Sequence, residues 1–177
     1  MHILVGLALA VAGQPSQPAT PLNDWVPAAH DIFVADIQSN IGYIVHDNGA
    51  FASMPIGSGK RQTVRYIGRT YNAGTPVGIW TIKDKSVKGD HITFGKTGLF
   101  LRLFKNGDDY TAYGIHATSN INKLLTWNDR YQSMGCILVS DEVLDILEKT
   151  YELNGNTLDV VTTNGLDEQN PLLSKDI

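Results

Sequence analysis

Two Asn-Gly pairs, each set between runs of apolar residues, constrain this chain more than any other feature. In "DIFVADIQSNIGYIVHDNGAFASMPI" the pair is Asn48-Gly49, and in "GLFLRLFKNGDDYTAYGIH" it is Asn106-Gly107. Asn and Gly accept the positive φ that a two-residue type I′ turn demands, so each stretch reads as an antiparallel β-hairpin. In the second, Leu99, Leu101 and Leu103 alternate with Phe100, Arg102 and Phe104, which sends the two sets to opposite faces of a sheet. His116 then falls at the end of the returning strand.

One segment has helical spacing instead. In "SDEVLDILEKTYEL", Ser140 is placed to cap the helix and Asp141 and Glu142 stand in its electropositive first turn. Val143, Leu144, Leu147 and Tyr151 share one face, and Asn154-Gly155 ends the run. "NTLDVVTT" follows as a closing strand. The chain is therefore mainly β with one or two helices, an α+β arrangement, and its 177 residues suffice for one core. That domain spans residues 31–163. Residues 1–30 precede it, and residues 164–177 form a polar tail.

The leading segment opens with the 11-residue apolar run "ILVGLALAVAG", too short to span a bilayer, and continues into the Pro-rich "QPSQPATP". It reads as the apolar region of a signal peptide, with Ala10-Val11-Ala12 as a cleavage pattern, although only Met1 and His2 precede it. Residues 14–30 read as a linker.

Charge and motif counts exclude several functions. With a net charge of −4 and no basic cluster denser than Lys83, Lys85 and Lys88, the chain lacks the footprint of a nucleic-acid partner. In "MPIGSGKRQT", Gly57, Gly59 and Lys60 suggest a phosphate loop, but Met54 and Arg61 stand where its glycine and hydroxyl residue belong. The stretch reads as a glycine-rich turn. His30, His46, His91, His116 and Cys136 are potential metal ligands, yet no two histidines stand at i, i+4 and no CxxC occurs, so no metal site is expected. The single cysteine excludes an internal disulfide.

That cysteine lies in "RYQSMGCILVS", directly after Gly135, where a polar turn opens onto an apolar strand. A structural cysteine needs no such setting, whereas a nucleophile must be presented, with a base within reach. His116 supplies a base, and the loop between it and Cys136 is long enough to fold back onto the strand end. An imidazole there would hold the thiol partly as thiolate.

The order of these residues resembles the catalytic domain of L,D-transpeptidases, the YkuD-type family that remodels bacterial peptidoglycan. The likeness is carried by His116, sixteen residues, then Ser133-Met134-Gly135-Cys136. It extends through the opening hairpin and Ser58-Gly59-Lys60, through Thr75, Pro76, Gly78 and Trp80, and through "YGIHATSN", with Ala117 at the family's second glycine. Two positions depart: Met134 replaces the histidine before Gly-Cys, and Leu138 replaces an Arg or Asn two residues after it.

The resemblance implies a YkuD-like β-sandwich or barrel with a helix after the cysteine. It makes Cys136 the nucleophile and His116 its general base, oriented by the backbone carbonyl of Ala117. It places an oxyanion hole at the backbone amides of Gly135 and Cys136, with glycine giving the thiol room to be reached, and Ser133, Met134 and Tyr113 on the substrate side. No cofactor is implied. The substrates would be peptidoglycan stem peptides in the cell envelope, periplasmic or otherwise extracytoplasmic, and no oligomeric state follows. Transfer of the acyl group to an amine, its hydrolysis as an L,D-carboxypeptidase, and binding without turnover all remain open.

Overall fold

A computed structural model describes residues 18–167 and 170–174; the apolar run and the start of the linker lie outside the described residues. Strands β1 (Ile32–Asp36), β2 (Ile41–Val45) and β3 (Phe51–Pro55) form an antiparallel meander. The short β4 (Ser58–Gly59) follows, then a ribbon of β5 (Thr63–Tyr66) and β6 (Arg69–Asn72), then the long β7 (Gly78–Val87). A single helical turn, α1 (His91–Phe94), leads into the hairpin of β8 (Leu99–Lys105) and β9 (Asp109–His116). After α2 (Ile121–Leu124) come β10 (Tyr131–Ser133) and β11 (Ile137–Leu138), the helix α3 (Asp141–Leu153) and β12 (Leu158–Thr163). Within the expected polar tail, β13 (Leu166–Asp167) pairs with β14 (Asn170–Ser174) as a small antiparallel ribbon.

Eight of these strands make one mixed sheet in the order β11-β9-β8-β7-β12-β1-β2-β3. It curls until its edges meet. Just past β3, Gly57 donates to Leu138 O and accepts from Leu138 N, both at 2.8 Å, so the chain leaving one edge strand pairs with β11 at the other. Backbone groups that an open edge would leave unpaired are thereby satisfied. The barrel-like form expected from the sequence is present.

Helix α3 packs onto this sheet as its spacing predicts. Ser140 Oγ accepts from Val143 N at 3.2 Å, and Val143, Leu144, Leu147 and Tyr151 are buried with Phe33, Ile82, Leu101 and Ile115 in one core. Burying side chains of this size stabilises the fold by about 1.5–3 kcal/mol each. β1 and β2 are buried on both faces, because Val34, Tyr43, Val45 and Phe51 form a second cluster on the side away from that core.

The hairpins exist, but their turns differ from the expectation. Asp47, Asn48 and Gly49 form a three-residue loop in which only Gly49 has positive φ, at 84°. Gly49 N donates to His46 O, and His46 N to Ala50 O. This is the geometry of a tight turn followed by a glycine bulge. Asn106 and Gly107 do adopt paired positive φ values of 51° and 86°, with Asp108 as a third loop residue. The two-residue turn occurs instead at Ile67-Gly68, with φ of 48° and 74°, where Tyr66 pairs with Arg69 across the β5–β6 ribbon. A β-branched residue is costly in that conformation, which is why the sequence did not reveal it.

Candidate active site

The loop carrying Cys136 is clamped on both sides. β4 runs parallel to β10, with Ser58 N donating to Arg130 O and Lys60 N to Ser133 O, each at 3.0 Å. The Gly57–Lys60 stretch is therefore a bracing strand and not the glycine-rich turn expected from the sequence. A β-carbon on Gly59 would lie 2.0 Å from Ala73 O, so only glycine fits there, and Gly59 N donates to Thr75 Oγ1 at 2.9 Å. The Ser-Gly-Lys and Thr-Pro segments thus meet as scaffolding for the cysteine loop.

Within the loop, Ser133 Oγ donates to Cys136 O at 2.6 Å and accepts from Gly135 N at 3.1 Å. Its hydroxyl holds the turn, and Ser133 still borders the cleft in front of the cysteine. The Gly135 amide donates to that hydroxyl within the loop. Among the described residues, the Cys136 amide takes no part in the loop's hydrogen bonds. Glycine at 135 answers a packing need: its φ is 117°, and a β-carbon would stand 2.5 Å from the Tyr113 ring. Met134 is 37% exposed, and its carbonyl accepts from Tyr71 of the β5–β6 ribbon at 3.3 Å.

His116 reaches the same site from β9. β11 pairs with β9 in parallel, setting Leu138 opposite His116 and Ile137 opposite Ile115, so Cys136 follows on beside Gly114. Nδ1 of His116 lies 2.7 Å from Ala117 O, the contact the resemblance implies, and as donor to that carbonyl the ring leaves Nε2 as the basic nitrogen. Phe94 and Phe100 flank the ring at 4.9 and 5.7 Å between centroids.

Desolvation shifts both groups toward their neutral forms. Burial pulls the His116 imidazole below its ordinary value, against the backbone carbonyls of Ala117 and Thr93. Burial likewise pushes the Cys136 thiol up to about 11, against the Gly114 backbone and the Arg102 charge. Among the described residues no hydrogen bond joins Cys136 Sγ to His116. The preformed thiolate expected from the sequence is therefore not what this environment favours.

Cys136 and His116 line one cleft of about 1240 Å³. Tyr113, Ser133, Met134 and Leu138 share it, and the β5–β6 ribbon contributes Tyr66, Ile67, Arg69 and Tyr71. Three exposed aromatic side chains, Tyr66, Tyr110 and Trp127, all border it. Sequence reasoning missed the ribbon for want of an Asn-Gly turn, and it missed Lys88 and Arg102 of the cleft because strand alternation does not say which exposed face carries a site. The other histidines lie apart: His46 pairs with Asp31 at 2.5 Å and stacks on Trp25, while His91 Nδ1 meets Gly95 O. Among the described residues no three His, Cys, Asp or Glu side chains gather as a metal would require.

Comparison with known proteins bears on the fold and the family. No curated protein matches the chain in sequence. Among solved structures it is similar to an L,D-transpeptidase from Xylanimonas cellulosilytica, at 21% identity and a TM-score of 0.55, over 76% of this chain and 61% of that one. It is also similar to Bd1075 of Bdellovibrio bacteriovorus, at 14% identity and a TM-score of 0.54, over 79% of this chain and 49% of that one. A third is the helical cell shape determining protein Pgp2 of Campylobacter jejuni, at 15% and 0.53, over 81% and 50%. At such identities the likeness is one of fold, and the chain spans between 49% and 61% of the length of these structures. The family model for the L,D-transpeptidase catalytic domain, YkuD, matches residues 30–157, and the chain belongs to that family.

Proposed function

We propose that the protein is a cysteine acyltransferase acting on peptidoglycan stem peptides, an L,D-transpeptidase. The observation that carries this reading is the convergence of Cys136 and His116 on one cleft, with the imidazole held by Ala117 O at 2.7 Å. As substrate enters, His116 Nε2 takes the thiol proton while Sγ attacks the carbonyl of the L-centre that precedes the terminal D-residue. Collapse of the tetrahedral adduct breaks the C–N bond. The imidazolium returns its proton to the departing amine of the D-residue, leaving a thioester on Cys136. An acceptor amine then attacks the thioester, loses its proton to His116, and the thiol is regenerated. The Cys136 amide is the oxyanion donor in this scheme, since Gly135 N already serves Ser133.

A pair shifted toward its neutral forms suits this sequence of steps, because the proton moves only once substrate has excluded water. The same shift favours a second reading, a domain that binds stem peptides without turning them over. Hydrolysis of the thioester would make the protein an L,D-carboxypeptidase. We place its work in the cell envelope, outside the cytoplasmic membrane, where such substrates lie. Mass spectrometry of a disaccharide-tetrapeptide incubated with the protein separates these outcomes. Cross-linked dimer or exchange of the D-residue marks transfer, tripeptide marks hydrolysis, and unchanged substrate marks binding alone and would refute the enzymatic reading.

A further inference from the structure

The chain carries a net charge of −4, yet among the described residues lining the cleft stand Arg69, Lys88 and Arg102 and no Asp or Glu. A cleft of one sign in a protein of the other selects its ligand's charge. Two of these cations gather about the Phe100 ring, which also lines the cleft. Arg102 faces Gly114 across the β8–β9 ladder, and Gly114 neighbours Cys136. Its guanidinium carbon stands 5.0 Å from the Phe100 ring centre and 4.6 Å from that of Tyr110. Lys88 Nζ lies 5.3 Å from the same Phe100 ring.

Among the described residues, Lys88 Nζ and Arg102 Nη2 have no hydrogen-bond acceptor. Among the described residues the Arg102 guanidinium has Thr111 O as its hydrogen-bond acceptor, at 2.7 Å, and its buried Nε has none. The nearest carboxylate, Asp84, is 3.5 Å from Nε, half exposed, and outside the cleft lining. Lys88 forms no ion pair among the described residues. Meanwhile Leu138, where the family resemblance leads one to expect Arg or Asn, is apolar and 3% exposed. A guanidinium that borders the cleft with Nη2 uncommitted, beside an ammonium and an aromatic face, can accept an anionic group.

We infer that Lys88 and Arg102, ranged about Phe100, form a carboxylate subsite that holds a stem peptide in the cleft beside Cys136. This rests on the proposed function for the identity of the peptide. The subsite orients the donor and sets its specificity, and it takes no part in bond making.

The test uses Cys136→Ala, in which the peptide stays intact, and measures binding by calorimetry. Three stem tetrapeptides are compared: the free acid, its C-terminal carboxamide, and one amidated at the carboxylate of its diamino acid. The free acid should bind about ten- to a hundredfold more tightly than one of the two amides, the magnitude of a charge-assisted contact, and which amide weakens names the carboxylate held. Adding Arg102→Gln or Lys88→Gln should bring that ratio close to unity. General loss of packing would weaken all three peptides alike and leave the ratio unchanged, and Lys88→Gln serves if Arg102→Gln does not fold. Equal binding of the three peptides, an unchanged ratio in both variants, or binding of none of them overturns the inference. Acylation of the wild-type protein is read separately, so a peptide that discriminates by charge but never acylates Cys136 counts against the enzymatic reading and not against the subsite.

Discussion

The ring of Tyr113 fills the space in which a β-carbon on Gly135 would lie, with Cε1 and Cδ1 at 2.5 and 2.9 Å from that position. Tyr113 is in turn held edge-on by Trp80, 6.1 Å between centroids, and Trp80 Nε1 donates to Thr162 Oγ1 at 2.8 Å. A rigid path thus runs from the middle of the sheet to the residue before the nucleophile, and close packing leaves it little room to give.

Gly135→Ala should therefore displace the cysteine loop, costing about 1–3 kcal/mol of stability through the strained φ and the collision with Tyr113. Acylation should fall by more than the loss of folded protein explains. Adding Tyr113→Ala removes the collision but not the strain, so the double variant should recover only part of the loss. Denaturant titration and single-turnover acylation measure the two effects. A Gly135→Ala protein with wild-type stability and rate would show that neither the φ nor the ring contact matters.

Because burial pushes the Cys136 thiol up to about 11, it should react more slowly with iodoacetamide at neutral pH than a free model cysteine. The rate should rise about tenfold per pH unit from neutrality through pH 10, as thiolate forms. A plateau below pH 9 would mean that His116 holds a thiolate after all.

His116 gives a prediction for stability. Its folded-state affinity for protons is lowered by burial, so as pH drops through its ordinary value of 6.5 the unfolded chain binds more protons and stability is lost. Substituting His116→Gln should remove part of that slope between neutrality and pH 5. Parallel unfolding curves for the two proteins across that range would show that the imidazole titrates normally.

The two departures from the family pattern differ in cost. Met134 is 37% exposed on the cleft, so Met134→His should leave stability within about 0.5 kcal/mol of wild type. Leu138 is 3% exposed and lies in the core at the seam where the sheet closes, so Leu138→Arg should destabilise by about 2–5 kcal/mol. Thermal denaturation distinguishes them, and equal losses would contradict the burial of Leu138.

Much of this arrangement was legible because its signals are local. The alternation in Leu99–Phe104, the cap at Ser140 and the ordered motifs around His116 and Cys136 each state their structure within a few residues. The ribbon turn at Ile67-Gly68 was not legible, since Ile rarely takes positive φ. Nor was the role of Ser133, whose hydroxyl is consumed by contacts that depend on the loop's path. The burial that raises the thiol was not legible for the same kind of reason. Desolvation is set by what packs over Cys136 from β8, β9 and the ribbon, and spacing along the chain carries no measure of it.

The central claim is that Cys136 forms a thioester with a stem peptide. Intact-mass measurement of the protein mixed with a tetrapeptide stem tests it directly. The account predicts an adduct equal to the tetrapeptide less its terminal D-residue, absent from Cys136→Ala and slowed by about two to four orders of magnitude in His116→Ala. A folded wild-type protein that gains no mass, or an adduct that persists in Cys136→Ala, would contradict it.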